Sequence, residues 1–212
     1  MSNFPVKKYI EIRLRAVSGE AQESPATAIR MSALLRFLHG DLRRNGNLPL
    51  AFPGYIARAE GAVDGPRGLG KVVRVFGEEK RLSGISKFLN ERLGSDIVIS
   101  KIGDTPSTQK QVVFSRFKAT SRSRARRPKK INGVLVEREN GMAERALHFQ
   151  QSDGLPFFVA ISLETGASFS IAVERKTRMA KPEEGDAPTA VVEKLSSYGL
   201  GEKGKEVWLP DF

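Results

Sequence analysis

The chain has 212 residues, 35 of them Lys or Arg against 24 Asp or Glu, giving a formal net charge of +11 and an isoelectric point near 10.1. Hydrophobic residues make up 40% and charged residues 28%, a balance that builds a core and excludes disorder as the main state. Zero cysteines and only two histidines, His39 and His148, exclude disulfides, thiolate zinc sites and cysteine nucleophiles, and leave almost nothing for a histidine metal site.

Lys8 to Arg15 alternates strictly, with Ile10, Ile12 and Leu14 on one side, the period-2 pattern of a half-buried strand. Ser24-Pro25 then reads as an N-cap and a first-turn proline. Ala28, Met31, Leu34, Leu35, Leu38 and Leu42 share one helical stripe before Asn45-Gly46 ends it. Leu48 to Phe52 and Lys71 to Phe76 read as short strands, Glu79 to Leu93 as a second amphipathic helix closed by Gly94, and Asp96 to Ile102 as a fourth strand. This β-α-β-β-α-β order predicts an α+β fold whose N-terminal domain, residues 1–105, is ferredoxin-like (RRM-like). Gly103 to Gln109 is the expected seam to a smaller C-terminal α+β domain, residues 106–212. There Gln111 to Phe117 forms a strand, and Phe157 to Leu163 and Phe169 to Glu174 form a hairpin around Glu164-Thr165-Gly166. Residues 131–154 fit a helix or a hairpin, since Asn132-Gly133 and Asn140-Gly141 are turn signals while Met142 to Gln150 has helical character.

The charge is concentrated. Lys110, Arg116, Lys118, Arg122, Arg124, Arg126, Arg127, Lys129 and Lys130 carry nine of the eleven excess positive charges, with no acid between them. A solvated face interleaves acids with bases, so this block points to a polyanion, and Ser121 to Arg127, with Ala125 its one apolar residue, offers no greasy face to a membrane surface. No apolar run approaches the roughly 20 residues that cross a bilayer, and Met1 to Lys8 has no signal-peptide core. The expectation is a cytoplasmic protein with a nucleic-acid partner and no membrane partner.

Two glycine motifs lead nowhere. Gly65 to Val72 matches G-x-x-x-x-G-K, but Val72 stands where the magnesium-binding hydroxyl belongs and a strand follows where a helix should. Gly199 to Gly204 matches G-x-G-x-x-G too near the last residue for a dinucleotide fold to follow. RNA needs no metal to be cut, because its 2′-hydroxyl is a built-in nucleophile that one well-placed base activates. His39 lies about 80° from the centre of its helical stripe, on the border between core and solvent, which fits such a base. It equally fits a histidine held in the last turns by the helix dipole.

The chain resembles the repeat-processing endoribonucleases of subtype I-F CRISPR systems. The likeness runs through Tyr9 to Arg15, the helix with Leu38-His39, Ala51-Phe52-Pro53, Gly68 to Val75, Ser115 to Ala119, the Arg-rich segment, Leu155-Pro156-Phe157, Ser162 with Thr165-Gly166, Tyr198-Gly199-Leu200 and Val207 to Phe212. The resemblance implies a ferredoxin-like domain, a second domain with an arginine-rich helix, and metal-independent cleavage of precursor CRISPR RNA at the foot of a repeat hairpin, with no cofactor. It assigns the base to His39, the ribose-holding hydroxyl to Ser162, and orientation of the histidine to Tyr198. It places Arg116 and Lys118 at the lowest base pairs of the stem, and Arg122, Arg124, Arg126, Arg127, Lys129 and Lys130 along phosphates. Lys118 stands where relatives carry glutamine. Pro128 should end the helix early, leaving 129–131 as a loop. Phe169 matches an aromatic that stacks on the terminal base, although strand parity also puts it on the core face of Ile171 and Val173. Glu164 replaces a second serine, and His148 has no counterpart. The implied partners are the hairpin, as precursor and mature CRISPR RNA, and the other subunits of a type I-F complex, with the free protein a monomer. The rival from another class is a non-cleaving RNA-binding or assembly protein of an RNA-guided or ribosomal complex.

Overall fold

A computed structural model of the chain describes residues 3–5, 7–16, 24–58, 66–117, 129–132, 134–136, 142–143, 146, 152, 154–162, 165–179, 189–191, 195–196, 198–201 and 207–212. In chain order these form β1 (Asn3–Pro5), β2 (Lys8–Leu14), α1 (Pro25–Asn45), β3 (Leu50–Ala51), β4 (Val72–Phe76), α2 (Glu79–Leu93), β5 (Ile97–Ile99), β6 (Gly103–Asp104) and β7 (Lys110–Phe117). After them come β8 (Lys129–Ile131), β9 (Val134–Val136), β10 (Phe157–Ile161), β11 (Ser168–Met179), β12 (Thr189–Val191) and β13 (Leu209–Pro210).

The first sheet has the order β3-β4-β2-β5, antiparallel throughout, with β6 also beside β2. Two split β-α-β units produce that order, so the ferredoxin-like arrangement predicted from the pattern is present. Ile10, Ile12 and Leu14 of β2 and Val73 and Val75 of β4 are buried, as alternation requires, against the stripe of Met31, Leu34, Leu35, Leu38 and Leu42 on α1 and of Leu82, Ile85 and Leu89 on α2. Each of these side chains contributes about 1.5–3 kcal/mol of gross burial energy. Gly70, at φ 79°, lies against Gly54: a Cβ there would meet the Gly54 Cα and carbonyl oxygen at 2.7 Å, so the Gly68-Leu69-Gly70 run serves close backbone packing before β4.

Two expected strands are shorter than the sequence pattern. Proline at 49 offers no N–H, and only Leu50–Ala51 pair within 48–52, although the Pro49 carbonyl still accepts the Phe76 N–H at 3.1 Å. Within 96–102 the ladder stops at Ile99, because the Ser100 hydroxyl accepts the Glu11 N–H at 2.9 Å in place of a backbone partner.

The second sheet has the order β10-β11-β7-β13, again antiparallel. Its edge strand β10 lies along α1, where the Val159 N–H donates to the Ser32 hydroxyl at 3.1 Å. The Tyr55 hydroxyl donates to the Val173 carbonyl at 2.9 Å, and the buried apolar residues of both sheets form one contiguous cluster. Residues 207–212 sew the sheets together on the outer side. The Asp211 carboxylate takes Arg175 at 3.0 Å and Lys110 at 2.9 Å, while Phe212 packs edge-on to Tyr9 and under the Arg74 guanidinium, 4.0 Å from its ring.

Residues 129–131 are a strand paired with β9, not the loop expected after Pro128. Asn132, at φ 48°, opens the tight turn there, a conformation asparagine tolerates. The ambiguous stretch 131–154 therefore begins as a hairpin, and Met142, Ala143 and Ala146 are helical. The arginine-rich helix expected around 118–128 and His148 lie outside the described residues.

Candidate functional site

α1 delivers His39. The Ser24 hydroxyl caps the helix by accepting the Thr27 N–H at 3.1 Å, Pro25 opens it, and Arg43 and Arg44 sit in the last turn near the negative end of the dipole. Ser32 and His39 are seven residues apart and share a face, so the bond that docks Ser32 on β10 also turns His39 toward the second sheet. His39 is 8% exposed, on the inner side of the border that its helical angle predicts.

Tyr198 arrives from a loop tied to both sheets. The Gly199 carbonyl accepts the Leu50 N–H of β3 at 3.0 Å; two residues on, the Gly201 N–H donates to Phe114 at 2.9 Å and its carbonyl accepts from Arg116 at 3.1 Å, both on β7. Gly199 holds φ 68°, and a Cβ there would lie 2.5 Å from the Leu48 carbonyl oxygen, so no other residue lets the loop seat this deeply. The loop stacks the Tyr198 ring on the His39 imidazole, with centroids 4.1 Å apart and planes 22° from parallel. Phe158 of β10 packs edge-on against the same tyrosine at 6.0 Å.

A cation and a second aromatic complete the cluster. The Arg116 guanidinium lies 5.6 Å from the Tyr198 ring centre and 5.9 Å from that of Phe169. Phe169 is half-buried on the same sheet face as Ile171 and Val173, so its ring is partly core and partly available to a ligand. Burial, and after it the positive charge of Arg43, holds the His39 pKa below the ordinary 6.5. The imidazole is therefore neutral at physiological pH, the form that takes up a proton.

His39, Tyr198, Arg116 and Phe169 thus converge. Ser162 lies at the mouth of the β10–β11 turn, where its hydroxyl accepts the Thr165 N–H at 3.3 Å and its carbonyl the Gly166 N–H at 2.9 Å. Lys118, Arg122, Arg124, Arg126, Arg127 and Glu164 lie outside the described residues. Of Lys129 and Lys130 only the backbone, in β8, is described. Two members of the cluster were missed from the sequence. Arg43 is marked there only by its i+4 spacing from His39, and Phe158 reads as an ordinary inward-facing strand residue.

Residues 9–212 match the family model of a CRISPR-associated protein, Cas_Csy4. The chain belongs to the Csy4 family. As a Csy4-family member, of CRISPR type I-F, it is a CRISPR-associated repeat-processing protein. No curated protein matches the chain. Among solved structures, the crystal structure of a putative chlorite dismutase aligns over 82% of this chain and 80% of its own, at 12% identity and a TM-score of 0.28, a likeness too low to bear on fold or function.

Proposed function

We propose that this Csy4-family protein is a metal-independent endoribonuclease that binds the CRISPR repeat hairpin, cuts precursor CRISPR RNA at its foot, and stays on the mature guide as a subunit of a type I-F complex. The observation that carries this reading is the buried, neutral His39 stacked on Tyr198, a base fixed in orientation and tuned to accept a proton near neutral pH. His39 takes the proton of a ribose 2′-hydroxyl. The 2′-oxygen bonds to the adjacent phosphorus, the P–O5′ bond breaks as the departing oxygen takes a proton from water, and a 2′,3′-cyclic phosphate remains. No redox step or metal-bound water enters this balance.

Ser162 holds that ribose, and Tyr198 keeps the imidazole from turning away. Arg116, beside Tyr198 and Phe169, reads the base pair at the foot of the stem in company with Lys118, arginine being the side chain best shaped to take guanine O6 and N7. Phe169 closes the stem by stacking on its terminal base. Arg122, Arg124, Arg126, Arg127, Lys129 and Lys130 run along phosphates and supply affinity, with the salt dependence that counterion release imposes.

The test is a labelled RNA carrying the CRISPR repeat of the same genome, beside a copy whose nucleotide at the cut is 2′-deoxy, both with excess EDTA. The expected result is one cut in the first RNA, none in the second, and equal binding of both. Cutting of the deoxy RNA, or a requirement for added metal, overturns the mechanism.

A further inference from the structure

The solvent side of α1 carries a feature that neither the core nor the His39–Tyr198 stack explains. Arg36 and Arg43 stand one turn before and one turn after His39, both exposed, on one azimuth of the helix. Seven residues at 1.5 Å rise put their Cα atoms about 10 Å apart along the axis, with His39 on one flank of the gap and Gly40 on the other. The one acid of the helix, Asp41, is turned away: it is buried and ion-paired with Arg81. Arg30 is used up on the Arg15 and Asp96 carbonyls at 2.9 and 3.2 Å. Among the described residues, no carboxylate, carbonyl or ring engages Arg36 or Arg43.

Gly40 is the second observation. Glycine inside a helix costs roughly 0.5–1 kcal/mol relative to alanine, and it is normally retained where a neighbour would clash with a Cβ. At Gly199 and Gly70 such neighbours exist; at Gly40, as at Gly84 of α2, none of the described residues lies within 4 Å of where a Cβ would stand. Packing among the described residues does not ask for a glycine here. An approaching ligand does, because the missing side chain leaves a flat floor beside the base, between two guanidinium groups that no described residue engages.

We propose that Arg36, Gly40 and Arg43 form the seat of the phosphodiester that is cut, with the two guanidinium groups on its non-bridging oxygens and the ester backbone lying against the helix at Gly40. The inference rests on the endoribonuclease reading above and adds to it the charge stabilisation that a lone base lacks. Negative charge builds on those oxygens as the 2′-oxygen adds, and arginines one turn either side of His39 are within reach of it. Helical side chains lean toward the N-terminus, so Arg43 leans back over the His39 turn. Its charge also opposes protonation of the imidazole, which stacks on Tyr198, with Arg116 on that same tyrosine ring.

The test uses the full chain with Arg36→Gln/Arg43→Gln, Arg43→Gln, Arg43→Lys and Gly40→Leu, measured in single-turnover cleavage of the labelled repeat RNA in EDTA across pH. The double variant, which removes both contacts, is expected to cut at least about 100-fold more slowly, with the salt slope of binding reduced by about 1. Arg43→Gln moves the acid limb of the rate profile to higher pH, and Arg43→Lys leaves it in place. Gly40→Leu slows cleavage about 10-fold or more by filling the floor, while its melting temperature stays level or rises, since leucine is the better helix former. Cleavage by the double variant at the unsubstituted rate overturns the seat alone. So does a fall in melting temperature with no change in rate or acid limb, the mark of a purely helix-dipole role. An RNA left whole by the unsubstituted protein overturns the endoribonuclease reading and the seat with it.

Discussion

The two sheets use the same alternation for different ends. In the first, the inward residues Ile10, Ile12, Leu14, Val73 and Val75 are aliphatic throughout, and the opposite face is closed by Tyr9, Glu11, Arg74 and Phe212. In the second, the aliphatic Val173 and Ile171 of β11 lie directly opposite Arg116 of β7 and Phe158 of β10, and β11 itself carries Phe169 near its start; this aromatic and cationic mix is where the Tyr198 loop and His39 meet the sheet. One face is pure packing; the other gives up some packing for groups that a polyanion can use. A sheet face that keeps its period while its chemistry changes from strand to strand marks a site.

Substitutions on the two faces should therefore separate stability from activity. The largest effect is expected where the site is seated: Gly199→Ala must place a Cβ 2.5 Å from the Leu48 carbonyl oxygen at φ 68°, at a cost of about 3 kcal/mol or more in urea unfolding, together with loss of cleavage. Ile12→Ala, in the packing face, is expected to cost about 2–5 kcal/mol of stability and leave the rate per folded molecule unchanged. On the other face Tyr198→Ala frees the imidazole and is expected to slow single-turnover cleavage about 10- to 100-fold, the scale of a misplaced general base, while Tyr198→Phe keeps the stack and stays within about 3-fold. A Tyr198→Phe variant as slow as the alanine one would move the role from the ring to the hydroxyl. Tyr55→Phe, which removes the bond to Val173 between the sheets, is expected to cost about 1 kcal/mol and no activity.

The pH dependence sharpens the same contrast. Burial and Arg43 keep the folded His39 pKa below 6.5, so the unfolded chain takes up a proton near pH 6.5 that the folded chain refuses until lower pH. The stability that His39 contributes is present above pH 6.5 and is lost as pH falls through the folded pKa. The cleavage rate should follow the same titration, with its acid midpoint below pH 6.5. A rate midpoint above 6.5 contradicts the assignment of the base.

Much of the first sheet was legible because its signals are local: β2 alternates, α1 has a serine cap and a proline start, and α2 ends at Gly94. The long β7 and β11 were legible for the same reason, although β11 runs on to Met179, where period-2 burial gives way to the charged Arg175, Lys176 and Arg178. The short pairings were not legible. β13 exists because β7 offers it an edge, and β12 because β1 does, which is information held by distant residues. The place of His39 on the stripe fitted a base and a dipole-held histidine equally; the family resemblance alone singled it out and paired it with Tyr198, and the stacking of the two rings was not legible. Tyr198 lies 159 residues away, and only the folded loop, through Gly199 and Gly201, brings the ring onto the imidazole.

The most direct measurement compares the protein with its His39→Ala form on the labelled repeat RNA in excess EDTA, with the new 3′ end analysed chemically. The expected result is a single cut ending in a 2′,3′-cyclic phosphate, lost by at least about 1,000-fold in the variant while hairpin binding is retained, as for removal of an essential base. Equal cutting by the His39→Ala form, or tight binding with no cut by either, would contradict the account.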